Sequence, residues 1–200
     1  MKTDLLDLMK QRRSVYNLGK DVKLSQDELT TIVQDIVKEA PSAFNSQTTR
    51  VVFAYGESHN KVWQIVEDTL EKIVPADQFE GTKAKIENSF KAGYGTLLWF
   101  TEMDTVANLA EQYPAIGESF GDWSEQHVGN AQFAVWTALA ENGVGASIQH
   151  YNPLIDDAIK EAFNIPASWR LRSEMPFGSV ETMPEDKDYM ATDDRFKIFN

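Results

Sequence analysis

Two adjacent arginines and a serine, Arg12-Arg13-Ser14, follow a short apolar stretch containing Leu5, Leu6, Leu8 and Met9. Arginine presents a planar fork of donors suited to phosphate or to a carbonyl-rich ring edge, and the serine adds a hydroxyl. The same charges at the end of a helix would also complement its dipole, so the triplet alone does not separate anion binding from helix capping. A second stretch, Pro41-Ser42-Ala43-Phe44-Asn45-Ser46-Gln47-Thr48-Thr49-Arg50, sets amide and hydroxyl side chains just ahead of a strand. Asn45, Ser46 and Gln47 could recognise heteroatoms of a ligand, or they could be ordinary loop chemistry after a proline. A third, Gly145-Ala146-Ser147-Ile148-Gln149-His150-Tyr151-Asn152-Pro153, puts Gln149 and His150 between a strand and a helix. There His150 either faces a ligand or packs near the helix N-terminus. Near the end, Arg195 and Lys197 stand two apart in Arg195-Phe196-Lys197-Ile198-Phe199, whose alternation predicts a strand with both cations on one face. Basic residues on an edge strand also deter aggregation. Lys187 is surrounded by Glu185, Asp186 and Asp188, which could simply pair with it.

These residues need elements to position them. The first apolar stretch predicts a helix ending near Arg12. Ser25 and Glu28 have the spacing of a capping box, and Leu29, Ile32, Val33, Ile36 and Val37 follow at helical intervals. Ala40-Pro41 ends that helix. Val51 to Tyr55 reads as a strand, Val62 to Leu70 as a helix, and Gly95 to Thr101 as a buried strand. A long helix is predicted from near Trp123 to Asn142, with Gly143 as its C-terminal cap. Val144 to Ile148 reads as a short strand. Asn152-Pro153 reads as a cap followed by proline at the first helical position, and Arg170 to Val180 contains a strand. Helices and strands are interspersed with helix dominant, which predicts an α+β or α/β sandwich class in one domain spanning residues 1–200.

Composition narrows the chemistry. The net charge of -12 opposes nucleic acid and anionic lipid, so a phosphate-bearing ligand needs a local basic pocket. The longest apolar runs, such as Thr96 to Phe100, are too short to span a bilayer. Met1-Lys2-Thr3-Asp4 shows no basic region leading into an apolar core, which with the absence of cysteine predicts a cytoplasmic protein. Without cysteine there is no disulfide, thiolate metal site or cysteine nucleophile. His59, His127 and His150 lack paired metal spacing. There is no Gly-x-Gly-x-x-Gly fingerprint, no Walker loop and no Gly-x-Ser-x-Gly elbow.

Arg12-Arg13-Ser14, the run from Pro41 to Gln47, the stretch from Gly143 to Pro153 and the basic tail together resemble the FMN site of the nitroreductase-like flavoproteins. The segment from Thr101 to Trp136, with Glu111-Gln112-Tyr113-Pro114 and Trp123-Ser124-Glu125-Gln126-His127, resembles that family's shorter, oxidative-stress and copper-induced branch. The likeness extends from Leu5 to Phe199. It implies a nitroreductase-like fold, a central, mainly antiparallel sheet flanked by helices, in a homodimer with a domain-swapped C-terminal tail. It implies FMN anchored through its phosphate by Arg12, Ser14, Arg195 and Lys197, with the ring positioned by Arg13, Asn45, Ser46 and Gln47. The loop carrying Asn45 and Gln47 would reach the flavin from the other subunit, and Gln149 and His150 would lie beside the flavin's central ring. Two departures stand out. His127 replaces a small polar residue, and Ala191-Thr192-Asp193-Asp194 is more polar than the family's pattern.

The activity so implied is a ping-pong exchange. NADH or NADPH gives hydride to FMN, then a small-molecule acceptor such as a nitroarene or quinone takes the electrons. No side chain acts as a covalent nucleophile, and the resemblance implies no metal, nucleic acid or membrane partner. Two alternatives use the same residues: an FMN-binding regulatory or ligand-sensing protein with little turnover, and a flavin-free binding protein whose basic pairs are helix-end and edge-strand charges.

Overall fold

The computed structural model describes residues 3–199; Met1 and Lys2, part of the N-terminal reading above, lie outside the described residues. Its centre is the strand β3 (Gly95–Glu102), all eight residues of which are buried. The apolar run Leu97–Phe100 at its centre suits a strand covered on both faces. β3 pairs antiparallel with β2 (Thr49–Tyr55) on one side and with β5 (Trp169–Thr182) on the other. The far half of β5 also pairs with two short antiparallel strands, β1 (Asn17–Gly19) and β4 (Val144–Ala146). At Gly178 a Cβ would collide with the Gly19 carbonyl, so only glycine admits this close approach.

Side-chain alternation along β3 splits the core in two. Leu98 and Phe100 face one apolar layer, with Trp63 and Val66 of α3 (Glu57–Leu70) and Ile159 of α7 (Asp156–Phe163). Leu97 and Trp99 face the other, with Leu29 and Val33 of α2 (Gln26–Glu39) and Val128, Val135 and Leu139 of α6 (Ser119–Glu141). The class is α+β, with helices on both faces of an antiparallel sheet, as the sequence predicts.

Local chemistry sets several boundaries. Ser25 Oγ accepts from Glu28 N–H at 3.2 Å while Glu28 Oε2 accepts from Ser25 N–H at 2.8 Å, so the capping box forms and starts α2. Gly143 takes φ 73° immediately beyond α6, the left-handed value that favours glycine at a helix end. α1 (Asp4–Gln11) carries Asp4 and Asp7 at its start and Lys10 at its end, which suits its dipole, and buries none of its residues. α4 (Ala76–Lys85) and α5 (Met103–Gln112) complete the helices before α6.

Three expectations change. Asn152-Pro153 does not open a helix: residues 151–154 form a turn, closed by Leu154 N–H to the Tyr151 carbonyl at 3.0 Å, and α7 begins at Asp156. The strand after α6 ends at Ala146, beyond which Ser147 N–H still donates to the Pro176 carbonyl at 3.3 Å and Gln149 bridges to Glu174 of β5. The tail is not a strand. Thr192–Arg195 form a short helix, α8, and Phe196 to Phe199 have no sheet partner among the described residues, because alternation alone cannot make a strand without a neighbouring edge.

Candidate functional site

Two polar groups lie at different levels of α6. The first is built where α1 ends. Arg12 caps α1, and its guanidinium lies 4.2 Å from the centroid of the Trp136 ring, a cation–π contact. Trp136 is fixed in turn, because its indole Nε1–H donates to the Ala146 carbonyl at 3.0 Å. The same carbonyl accepts from Val15 N–H at 2.9 Å, and Ser14 bridges to Ala146 in parallel fashion. Arg13 donates to the Glu185 carbonyl, which ties the start of the tail to this corner. Arg12, Arg13 and Ser14 thus lie together against β4.

The Arg12 cation is uncomfortable there. Burial, then the neighbouring charge of Arg13, pushes its pKa down, and its Nε is buried without a partner. Among the described residues, no carboxylate pairs with either arginine. Two adjacent cations with an unpartnered donor and a nearby hydroxyl fit a dianionic phosphate.

The second group sits on the loop before β2. Phe44, Asn45 and Gln47 adopt positive φ of 57°, 50° and 47°, an unusual cluster for non-glycine residues. Ser42 Oγ accepts from Gln47 N–H at 3.0 Å and Arg50 Nη1 donates to the Gln47 carbonyl at 2.6 Å, which holds the loop in this shape. Phe44 packs on Tyr113, Phe120 and Trp123, with ring centroids 5.0, 5.4 and 6.1 Å away. A cavity of about 370 Å³ opens beside Pro41, Phe44, Trp123 and His127, and another of about 340 Å³ beside Ser46, Gln47, Arg50 and His127. His127 lines both, so the residue that departs from the family pattern stands between them. Its Nδ1 meets the Thr48 and Thr49 hydroxyls at 3.3 and 3.2 Å, and its Nε2 is buried without a partner. Burial, then Arg50, lowers its pKa, which favours the neutral ring.

The Gln149-His150 segment runs along β5. Gln149 N–H donates to the Glu174 carbonyl at 2.7 Å, and its side chain donates to Ser147 Oγ at 3.0 Å. His150 is exposed. Arg195 and Lys197 do not join Arg12: Arg195 stacks on its neighbour Phe196 and Lys197 donates to the Asp193 carbonyl at 3.2 Å. Lys187 lies 5.2 Å from the Tyr189 ring. The loop group meets α6 near His127 and the arginine group meets it near Trp136, about 13 Å apart along a helix rising about 1.5 Å per residue. Trp136, which supports Arg12, and Glu174, which is buried in β5 between Ser173 and Met175, carry no local sequence signal that singles them out.

The chain matches the model of the Nitroreductase family over residues 9–179. The chain belongs to that family. Nitroreductase CinD from Lactococcus lactis, in complex with nicotinic acid, superposes with a TM-score of 0.91 at 39% identity, covering 98% of this chain and 100% of CinD. HBN1 of Saccharomyces cerevisiae is 33% identical over 98% of this chain and 96% of its own length. Nitroreductase FRM2 of the same yeast is 29% identical over 92% of each chain. Nitroreductase-family membership makes the protein an oxidoreductase. Among its described residues no helix is long and apolar enough to cross a membrane.

Proposed function

We propose that this nitroreductase-family chain is an FMN-dependent NAD(P)H oxidoreductase, acting in the cytoplasm as a homodimer on nitroaromatic or quinone-type acceptors. The observation that carries the reading is the Arg12 corner: a buried, unpartnered guanidinium nitrogen on a tryptophan platform, beside a second arginine and a serine. FMN, when bound, supplies the redox chemistry, accepting hydride from NADH or NADPH and passing electrons to the acceptor in a separate half-reaction.

The chain's own residues bind and orient. Arg12 and Ser14 hold the phosphate, with Trp136 keeping the guanidinium in place. Arg13 and the amides of Asn45 and Gln47 would address ring heteroatoms, and the exposed His150 would offer a donor beside the ring, where it favours negative charge. Phe44, Tyr113, Phe120 and Trp123 form an aromatic wall for a flat acceptor, a role that suits the small molecules in the CinD complexes, nicotinic acid, chloramphenicol and 4-nitrophenol. The separation of the loop from the arginine corner is bridged if each site takes its loop from one copy and its arginines from the other. The exposed tail then carries Arg195 and Lys197 onto the partner.

Replacing Arg12 and Arg195 together with alanine tests the assignment. Each charged hydrogen bond lost is worth about 1.5–3 kcal/mol, so FMN affinity falls by at least roughly a hundredfold. Unchanged affinity by fluorescence titration would remove these residues from the site.

A further inference from the structure

We propose that Glu174 is a positioning residue: its carboxyl, kept neutral, fastens the loop from Gln149 to Asp156 onto β5, and its ionisation loosens that loop. The proposal rests on the flavin reading only for its consequence, that this proton governs how well the loop serves the bound ring.

Glu174 is completely buried in the middle of β5. Its cross-strand neighbour on β3 is Leu98, a member of the apolar layer that includes Trp63, Ile155 and Ile159. The loop closes over it by three hydrogen bonds. Gln149 N–H donates to the Glu174 carbonyl at 2.7 Å, Glu174 N–H donates to the Gln149 carbonyl at 3.0 Å, and Tyr151 N–H donates to Oε2 at 2.9 Å. Tyr151 then stands edge-on to Trp63, with ring centroids 6.0 Å apart.

The other carboxyl oxygen has no donor. Glu174 Oε1, Asn152 Oδ1 and Asp156 Oδ1 are all buried without partners. A carboxylate placed there would keep one N–H donor and sit close enough to Asp156 to feel its charge. A buried charge so poorly solvated is costly, whereas a carboxyl replaces the charge with an O–H that one of these acceptors can take, directly or through a water. The titratable groups around it agree. Tyr151 faces it from the loop and Asp156 from the start of α7. Asp157 and Lys160 on α7, with Arg170 and Arg172 on β5, act on Asp156, whose own carboxyl is raised chiefly by burial. Arg172 is drawn to Glu125 of α6 at 2.7 Å, and His59 of α3 is bound to Thr96 at 2.8 Å. Burial, opposed by the Tyr151 N–H and reinforced by Asp156, pushes Glu174 up to about 8. The proton is therefore held at neutral pH and lost in mild base.

Hydrogen–deuterium exchange of the whole flavin-free protein, from about pH 6 to about pH 10 and corrected for intrinsic exchange, reads the loop directly. Because the opened loop releases the proton that the closed loop holds up to about pH 8, protection of residues 149–156 is expected to fall about tenfold per pH unit as pH rises to that value and to level off above it. In Glu174→Gln, which keeps an acceptor for Tyr151 and offers donors to the orphaned oxygens, the profile is expected to be flat. In Asp156→Asn, which removes the repelling charge, the fall should level off at lower pH. FMN affinity followed over the same range should drop with protection in the wild type and stay level in Glu174→Gln. A flat wild-type profile, or an equal fall in Glu174→Gln, would overturn the proposal. Failure to bind FMN at every pH would overturn the flavin reading alone, because the exchange profile judges Glu174 without flavin.

Discussion

At the scale of single residues, the protein concentrates unusual electrostatics at element junctions. Glu102 closes β3 and caps α5: its carboxylate accepts from Asp104 N–H at 3.2 Å and from Thr105 N–H at 2.7 Å. Burial alone would raise its pKa, but hydrogen bonds from Thr105, Ser168 and Asp104 outweigh it and hold the group at about 2. Because the folded value lies below the unfolded 4.5, this stabilisation is present above about pH 4.5 and is lost as pH falls towards 2. Glu102→Ala should cost about 1 kcal/mol at neutral pH, a lowering of Tm by about 2–4 °C, and should flatten part of the acid limb. Thermal melts from neutral pH down to about pH 3 check this, and a variant with the wild-type acid profile would contradict it. Legibility differs sharply at this scale. Arg12, Arg13 and Ser14 are recognisable because charge and hydroxyl chemistry is explicit in the side chain. Trp136 is not, because a half-buried tryptophan on a long helix looks like core until Arg12 is seen above it.

At the scale of elements, α6 organises the site. One stretch of it carries His127 under the Phe44 loop, and the next carries Trp136 under Arg12. Trp136→Phe keeps an aromatic face but removes the donor to Ala146, whose carbonyl also receives Val15 N–H. A loss of about 1 kcal/mol in urea unfolding is expected, together with weaker FMN binding. Unchanged stability would mean that this hydrogen bond does not secure β4. The elements that sequence reveals are those with strong local signals: the Ser25–Glu28 box of α2, the glycine after α6 and the unbroken apolar run of β3. α4 is missed because it buries no residue and so shows no apolar face. β1 is missed because three residues leave no alternation to detect. The tail misleads for the opposite reason, since its alternation is real but no edge within the chain receives it.

At the scale of the whole molecule, much apolar surface lacks a partner in a single chain. α1 buries nothing, with Leu5 63% exposed, and the tail leaves Ile198 86% and Phe199 91% exposed. Exposed apolar clusters of this kind mark association surfaces. If the tail embraces a second copy, removing residues 184–200 should halve the mass seen by light scattering and weaken FMN binding at least tenfold, the order of one lost charged hydrogen bond. A truncated chain that stays dimeric with full affinity would place the interface elsewhere. Composition and periodicity do not carry this arrangement, which the sequence suggests only through its family resemblance, because it depends on where the tail goes once it leaves its own sheet.

The central claim is that the arginine corner holds a flavin that the chain uses for electron transfer. The most direct measurement is the visible absorption spectrum of the purified protein, with the released cofactor identified, followed by anaerobic addition of NADH. A flavin spectrum arising from FMN, bleached when NADH is added, is the expected result. A colourless protein that also fails to take up added FMN would contradict it.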